Sequence, residues 1–587
     1  MARRLKRTKT NTTPGYPWSE TRQSALKRKK KNTSASPLEA PGDAVTASPA
    51  AAFEGSAPPA SCDVLVVGGG INGAGIARDL AGRGWSVVLA EASDFAAHTS
   101  SSSTKLIHGG LRYLEYYEFS LVRKALQERE VLLRSAPHIM WPLRFVMPHD
   151  AAMRPAWMIR IGLFLYDHLA RREVLPGSTG VNLRQSPLGA PLKAQYTRGF
   201  VYSDGWVDDA RLVLLNALDA RDKGASLHTR TTVVSARRQA DHWLATLRGP
   251  TGDFTVRAKA LVNAAGPWAE SFLREHAQSA GTEALATKSL RLVKGSHIVV
   301  RQAYQHDHAY IFQNPDKRII FAIPYEDEFT LIGTTDVELP ADALAGFGRA
   351  TIEAKEVAYL CEQASRYFAK PITTDDVVWS YAGVRPLLDD ASGDPSAVTR
   401  DYLLEPHSDG GAPLLSVWGG KITTFRKLAE DAADMVGQML GDRRQAWTES
   451  AHLPGGDLHE WIGAPQRPDT DFQRLLTALG QRHAWLPPAL AHRLARAYGG
   501  RVGRVLGGAE NLNDLGPEIA PGLHEAELRY LVREEWAQSA DDVLWRRSKL
   551  GLHFTEAQRA AVEDWFRQPS LPTLPDNNNM QRDRSWS

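Results

Sequence analysis

The chain is 587 residues long, 43% apolar and 23% charged, too long for a single hydrophobic core and of ordinary globular composition. Two cysteines, Cys62 and Cys361, exclude a disulfide framework or a cysteine-based metal cluster, and no metal site is expected. The net charge of +3 is uneven: residues 1–60 hold eleven Lys or Arg against four acids, so the remainder is slightly acidic.

Residues 1–60 lack apolar periodicity and read as a disordered basic extension. Their basic run at 27–31 has the charge to meet nucleic acid, an anionic membrane or a targeting receptor. Ordered structure is expected from residue 62, where a β-branched run at 63–67 reads as a buried parallel strand. Gly68, Gly70 and Gly73 follow on the G-x-G-x-x-G spacing. The first permits a tight turn, the second lets a pyrophosphate approach the backbone, and the third lets helix and strand pack closely. A helix over about 71–83 would aim free N–H groups at the phosphates, and Gly84 stops it. A second strand at 86–90 ends in Glu91, whose carboxylate suits the hydroxyls of an unphosphorylated adenosine ribose. This complete βαβ unit predicts dinucleotide binding.

A run of hydroxyl residues comes next, Thr99, Ser100, Ser101, Ser102, Ser103 and Thr104, closed by Lys105. Directly after a βαβ unit, such a run suits phosphate and ribityl oxygens. Further on, a helix at 209–223 precedes a β-rich segment at 225–236 that includes Val233. A strand at 258–266 ends in small residues at Gly266. Strands at 295–300, 309–313, 318–324 and 329–334 form a meander, with Asn314-Pro315-Asp316-Lys317 as its hairpin turn. The pattern predicts an α/β fold. A Rossmann-like domain over 62–445 carries an inserted antiparallel β-sheet cap for substrate, at about 140–200 and 290–380. Helical periodicity at 472–479, 490–498, 525–538 and 555–566 predicts a C-terminal helical domain over 446–567, and 568–587 reads as a disordered tail. No apolar run approaches the ~20 residues that span a bilayer, so any membrane association is expected to be peripheral. The apolar stretch 157–166, flanked by Arg154, Arg171 and Arg172, reads either as a membrane-interface helix or as a buried helix under the cap.

Three separated motifs carry a resemblance to the flavin-dependent glycerol-3-phosphate dehydrogenases of the aerobic bacterial type. They are the glycine-rich unit at 68–84, STKLIHGGLRYLE at 103–115 and GGKITTFRKLA at 419–429. WVDDARL, KGSHIVV, IGTTDVE and GVRPL, at 206–212, 294–300, 332–338 and 383–387, also look like the family, over roughly residues 62–565. The resemblance implies FAD, held by Gly68, Gly70, Gly73, Glu91, Thr99, Ser100, Ser103, Thr104, Lys105, Val233, Gly266, Gly420, Lys421 and Thr423. It implies oxidation of sn-glycerol 3-phosphate to dihydroxyacetone phosphate by hydride transfer to FAD. Electrons would pass to ubiquinone or a similar quinone at the cytoplasmic side of the inner membrane. A homodimer is possible on the same ground.

Arg grips phosphate bidentately, so Arg112 and Arg385, with the Tyr113 hydroxyl, are the candidate phosphate ligands. His297, His108 and Lys421 are the candidate bases, with His297 favoured as base and Lys421 as clamp on the developing alkoxide. One position departs from the family: Phe425 stands where Tyr is usual, which removes a hydroxyl but keeps the ring. The alternatives are an oxidase using O2, a related flavin amine oxidase, and a non-enzymatic flavoprotein binding RNA through the basic tail. An amine oxidase has no need of two phosphate-gripping arginines, and the intact motifs argue against the RNA binder.

Overall fold

Branched apolar runs and glycine punctuation set the first elements: strand β1 (Ser61–Val67), helix α1 (Ile71–Gly82) and strand β2 (Val87–Ala90). In chain order there follow helix α2 (Ala156–His168), strand β3 (Arg198–Val207) and helix α3 (Asp209–Asp222). Strands β4 (Ser226–His228), β5 (Gly252–Asn263), β6 (Leu290–Arg301), β7 (Phe329–Gly333), β8 (Val377–Leu388) and β9 (Leu414–Trp418) come next. Helix α4 (Phe425–Met439) closes this part of the chain. The computed structural model describes residues 57–568 apart from 151–152, 280–284, 286, 317 and 390–400. The basic extension through residue 56 and the tail from 569 lie outside the described residues.

Two sheets result. In the first, β4, β2, β1, β5 and β9 lie side by side and parallel. The strands Thr232–Arg238 and Trp243–Gly249 extend it as an antiparallel ribbon on β5. One face is covered by α1, α3 and α4, whose Ala, Leu and Val side chains form the largest core with the strands. Because these strands run the same way, their carboxyl ends share one rim, where ligands bind in open α/β sheets. Gly68, Glu91, Ala264 and Gly419 stand at that rim, each directly after its strand.

Among the described residues the second sheet has ten strands, with β6 between β7 and β8, and β3 paired to Met140–His149. It is not wholly antiparallel, as the meander pattern implied. Ala309–Gln313 pairs parallel to Met140–His149, which the long excursion between them through the first sheet makes geometrically possible. The C-terminal helices, including Pro468–Arg482, Pro488–Tyr498, Glu525–Glu535 and Glu556–Phe566, bury a core of their own around Leu475, Leu494, Leu528 and Val562. This part also holds a small two-stranded ribbon, Glu518–Ala520 with Leu523–His524, that helical periodicity does not reveal.

Candidate functional site

The rim of the first sheet is shaped by what its glycines leave out. Gly68 has φ +103, and a Cβ there would lie 2.6 Å from the Ala264 carbonyl oxygen. A Cβ on Gly73 would lie 1.9 Å from the Gly68 carbonyl oxygen, so α1 packs against the turn only with glycine there. At Gly70 a Cβ would meet only Ser100 Oγ, at 3.2 Å, so its outer face is open for a phosphate. Gly266 (φ +58) has open space around it and Gly420 (φ +98) abuts Asn72. Glu91 is buried, and its carboxylate accepts the N–H groups of Gly69 at 2.6 Å and Ser93 at 2.8 Å. Burial pushes its pKa up while those two N–H groups pull it back. Val233 is buried in the antiparallel ribbon, beside a register irregularity that breaks the ladder between Val233 and Ser235.

The hydroxyl run wraps this rim and ties it to the second sheet. Ser100 Oγ accepts the Ile71 N–H at 2.9 Å, and Thr99 donates to the Val384 carbonyl at 2.7 Å. Ser103 and Lys105 turn the other way. Ser103 donates to Asp209 from hydroxyl and backbone N–H, and the buried Lys105 ammonium sits 2.8 Å from the same carboxylate. Their side chains therefore anchor the loop to α3. Thr104 Oγ1 lies 3.0 Å from His297 Nε2.

Beyond the loop, His108 donates its N–H to Thr423 Oγ1 at 3.1 Å, joining the second motif to the third. Gly110 (φ +74) lets the Tyr113 ring fold back to where a Cβ would be at 2.3 Å. The Lys421 ammonium stands 4.0 Å from the centre of that ring. Arg112 lies on the 3-10 turn Leu111–Tyr116, with its guanidinium 3.4 Å from the Tyr116 hydroxyl. On the second sheet, β6 places His297 opposite Gly333 of β7 and Tyr381 of β8. The Tyr381 ring stacks on the imidazole at 4.8 Å and 13°, and a Cβ on Gly333 would fall 2.0 Å from it. Gly295 likewise leaves room for the Arg385 guanidinium, which pairs with Asp336 and donates to Thr334 Oγ1 at 3.2 Å. The glycines of KGSH, IGTT and GVRP thus clear space around these side chains and the loop: a Cβ on Gly383 would lie 2.7 Å from Ser102.

His297 is buried, and its Nδ1 has no hydrogen-bond partner among the described residues. Burial, then the charges of Arg385 and Lys105, hold its pKa well below the usual 6.5. The neutral imidazole is therefore favoured, where an unperturbed histidine would titrate near neutrality. Sequence reasoning missed Tyr381, which also donates to the Ser103 carbonyl at 2.8 Å, because nothing local marks it. It missed Asp209 too, although that carboxylate stands inside the WVDDARL segment. Phe425 is buried against Gly75, where a Cβ would lie 2.9 Å from the ring, so its packing does not use a hydroxyl. Among the described residues no cluster of three His, Cys, Asp or Glu is placed to hold a metal ion.

A strand-end dinucleotide cradle beside cationic side chains and a buried neutral imidazole defines an oxidoreductase of the dinucleotide-cofactor class. The "FAD dependent oxidoreductase" family profile matches residues 63–426, and that of the "C-terminal domain of alpha-glycerophosphate oxidase" matches 446–567. The glycerol-3-phosphate dehydrogenase of Pseudomonas aeruginosa is 51% identical over 87% of this chain and 96% of its own. The D-erythritol 1-phosphate dehydrogenase of Brucella abortus is 50% identical over 88% and 99%. Among solved structures, the glycerol-3-phosphate dehydrogenase of Bacillus halodurans complexed with FAD superposes with a TM-score of 0.67 at 28% identity, covering 86% of this chain and 90% of that one. The chain belongs to the FAD-dependent glycerol-3-phosphate dehydrogenase family. Its residues fit that cofactor. The face at Gly70 is open, the N-terminus of α1 points at it, and Asn72 Oδ1, beside Gly420, is buried without a hydrogen-bond partner among the described residues.

Proposed function

We propose that this chain oxidises sn-glycerol 3-phosphate to dihydroxyacetone phosphate and passes the electrons to a quinone at a membrane surface. The observation that carries this reading is the attachment of both reactive clusters to one loop. Thr104 meets His297, Thr99 meets the strand bearing Arg385, and His108 meets the turn bearing Lys421 and Thr423. FAD bound at the strand ends supplies the hydride acceptor. Arg112 and Arg385 attract the phosphate, and their forked donors orient the carbon chain. Neutral His297 offers a ring nitrogen to the C2 hydroxyl proton, and Lys421, held over Tyr113, stabilises the alkoxide that develops.

The surface supports the peripheral-membrane part. No helix among the described residues is long and apolar enough to cross a membrane. Helix α2 nonetheless exposes Trp157 (63%), Ile161 (52%) and Phe164 (56%), and only its Leu163 and Tyr166 are buried. Of its two sequence readings, the interfacial one fits this exposure.

A second substrate has a specific observation behind it, the 50% identity to a D-erythritol 1-phosphate dehydrogenase. Steady-state turnover of the holoenzyme with a soluble quinone analogue separates the readings. Glycerol 3-phosphate should give dihydroxyacetone phosphate, little peroxide in air, and at least ~10²-fold higher kcat/KM than glycerol. A higher kcat/KM for D-erythritol 1-phosphate would transfer the assignment, and stoichiometric peroxide would make the enzyme an oxidase.

A further inference from the structure

We propose that the C-terminal domain sets how tightly FAD is held, by pinning from behind the loop that carries the ribose end of the cradle. That loop, residues 91–98, touches the glycine turn directly. Besides the Glu91 carboxylate on the Gly69 N–H, the buried Phe95 ring fills the space where a Cβ on Gly69 would lie 2.8 Å away. Its far side is held by residues more than 400 positions later. The buried Asp94 carboxylate accepts Arg546 Nε at 2.7 Å and Arg547 Nη2 at 2.8 Å, and pairs with Arg547 a second time through Nη1. The edge of Trp536 meets Phe95 at 5.1 Å between ring centres.

A second carboxylate closes the arrangement. Asp542, fully buried, pairs with Arg546 and accepts Arg230 Nη2 at 2.7 Å. The Arg230 N–H in turn donates to the Ser93 carbonyl at 2.7 Å, and the Thr231 N–H to that of Glu91 at 2.8 Å. Two buried carboxylates and three guanidinium groups thus span the C-terminal domain, the loop and the chain beyond β4. Each is stable there only while its partners stay, because an unpaired charge in the interior is costly. The loop consequently keeps one position, and the Glu91 carboxylate is presented to the ribose without reorganisation. None of these C-terminal residues stands at the rim. They are positioning residues, and FAD binding and domain docking are linked in both directions.

The test reads flavin affinity separately from folding. Arg547→Lys keeps the charge and loses the fork, while Trp536→Leu removes the aromatic contact and leaves every charge in place. In folded protein, checked by circular dichroism, each should raise the dissociation constant for FAD by about tenfold or more. A merely structural role would lower Tm and leave that constant where it was. On wild-type protein the reciprocal effect is measurable without any variant: stripping FAD should accelerate amide hydrogen exchange at 536–547 as well as at 91–98. Dissociation constants within twofold of wild type in a folded variant, or exchange that changes in 91–98 only, would overturn the proposal.

Discussion

The His297 imidazole fits its place because position 333 across the sheet has no side chain, and because Tyr381 offers it a flat face. Its depressed pKa has a kinetic consequence. A base must be unprotonated, so the acidic limb of kcat/KM attributable to this residue should fall well below pH 6.5, and no loss from it is expected above that value. His297→Asn should slow flavin reduction by ~10²-fold or more while substrate still binds. A variant within a few-fold of wild type would move the role to Lys421 or His108. Arg385 tests the phosphate assignment independently. Removing one charge-assisted partner of a bound phosphate costs about 2–5 kcal/mol, so Arg385→Ala should lose most discrimination between glycerol 3-phosphate and glycerol. Unchanged selectivity in that variant would place the phosphate elsewhere.

At the scale of elements, the βαβ unit was fully legible because its requirements are local: a β-branched strand, glycines at fixed spacing, a helix and a terminal acid. The hydroxyl loop was legible only in part. Its run of Ser and Thr marks a polar loop at the rim, but which side chains face inward is decided by Asp209, which belongs to α3 and lies 104 residues from Lys105. Tyr381 and the pairing of β6 with β8 are products of sheet register, and no spacing within one segment encodes them. Helix α2 shows the same limit, since an apolar window reads alike for a buried helix and for an interfacial one. Its Tyr166 accepts the Gly109 N–H at 2.8 Å and donates to Asp204 at 2.7 Å, so its buried side supports the turn between His108 and Arg112. The outer side should be separable from that support. Trp157→Glu with Phe164→Glu should sharply reduce recovery with membranes and leave dye-coupled turnover within about twofold, as surface substitutions usually do. Undiminished pelleting would mean that another surface meets the bilayer.

For the whole molecule, burial makes acid the vulnerable direction. Burial holds His98, His228, His306 and His308 down to about 4, and pushes His138 and His297 well below 6.5. In each case the unfolded chain takes a proton that the folded chain refuses. Their contribution to stability is therefore complete above about 6.5 and is lost progressively as pH falls toward the folded values. Thermal melts of the holoenzyme should show Tm falling steeply between pH 6.5 and 4, and a flat Tm over that range would contradict the assignment. That one loop joins a flavin cradle to a site for a phosphorylated alcohol is tested most directly by anaerobic stopped-flow mixing. Holoenzyme mixed with sn-glycerol 3-phosphate should lose its flavin absorbance in a single turnover, with a rate that saturates in substrate. Glycerol at the same concentration should leave the flavin band essentially unchanged. Persistence of the oxidised flavin spectrum with glycerol 3-phosphate, or equal bleaching by glycerol, would contradict it.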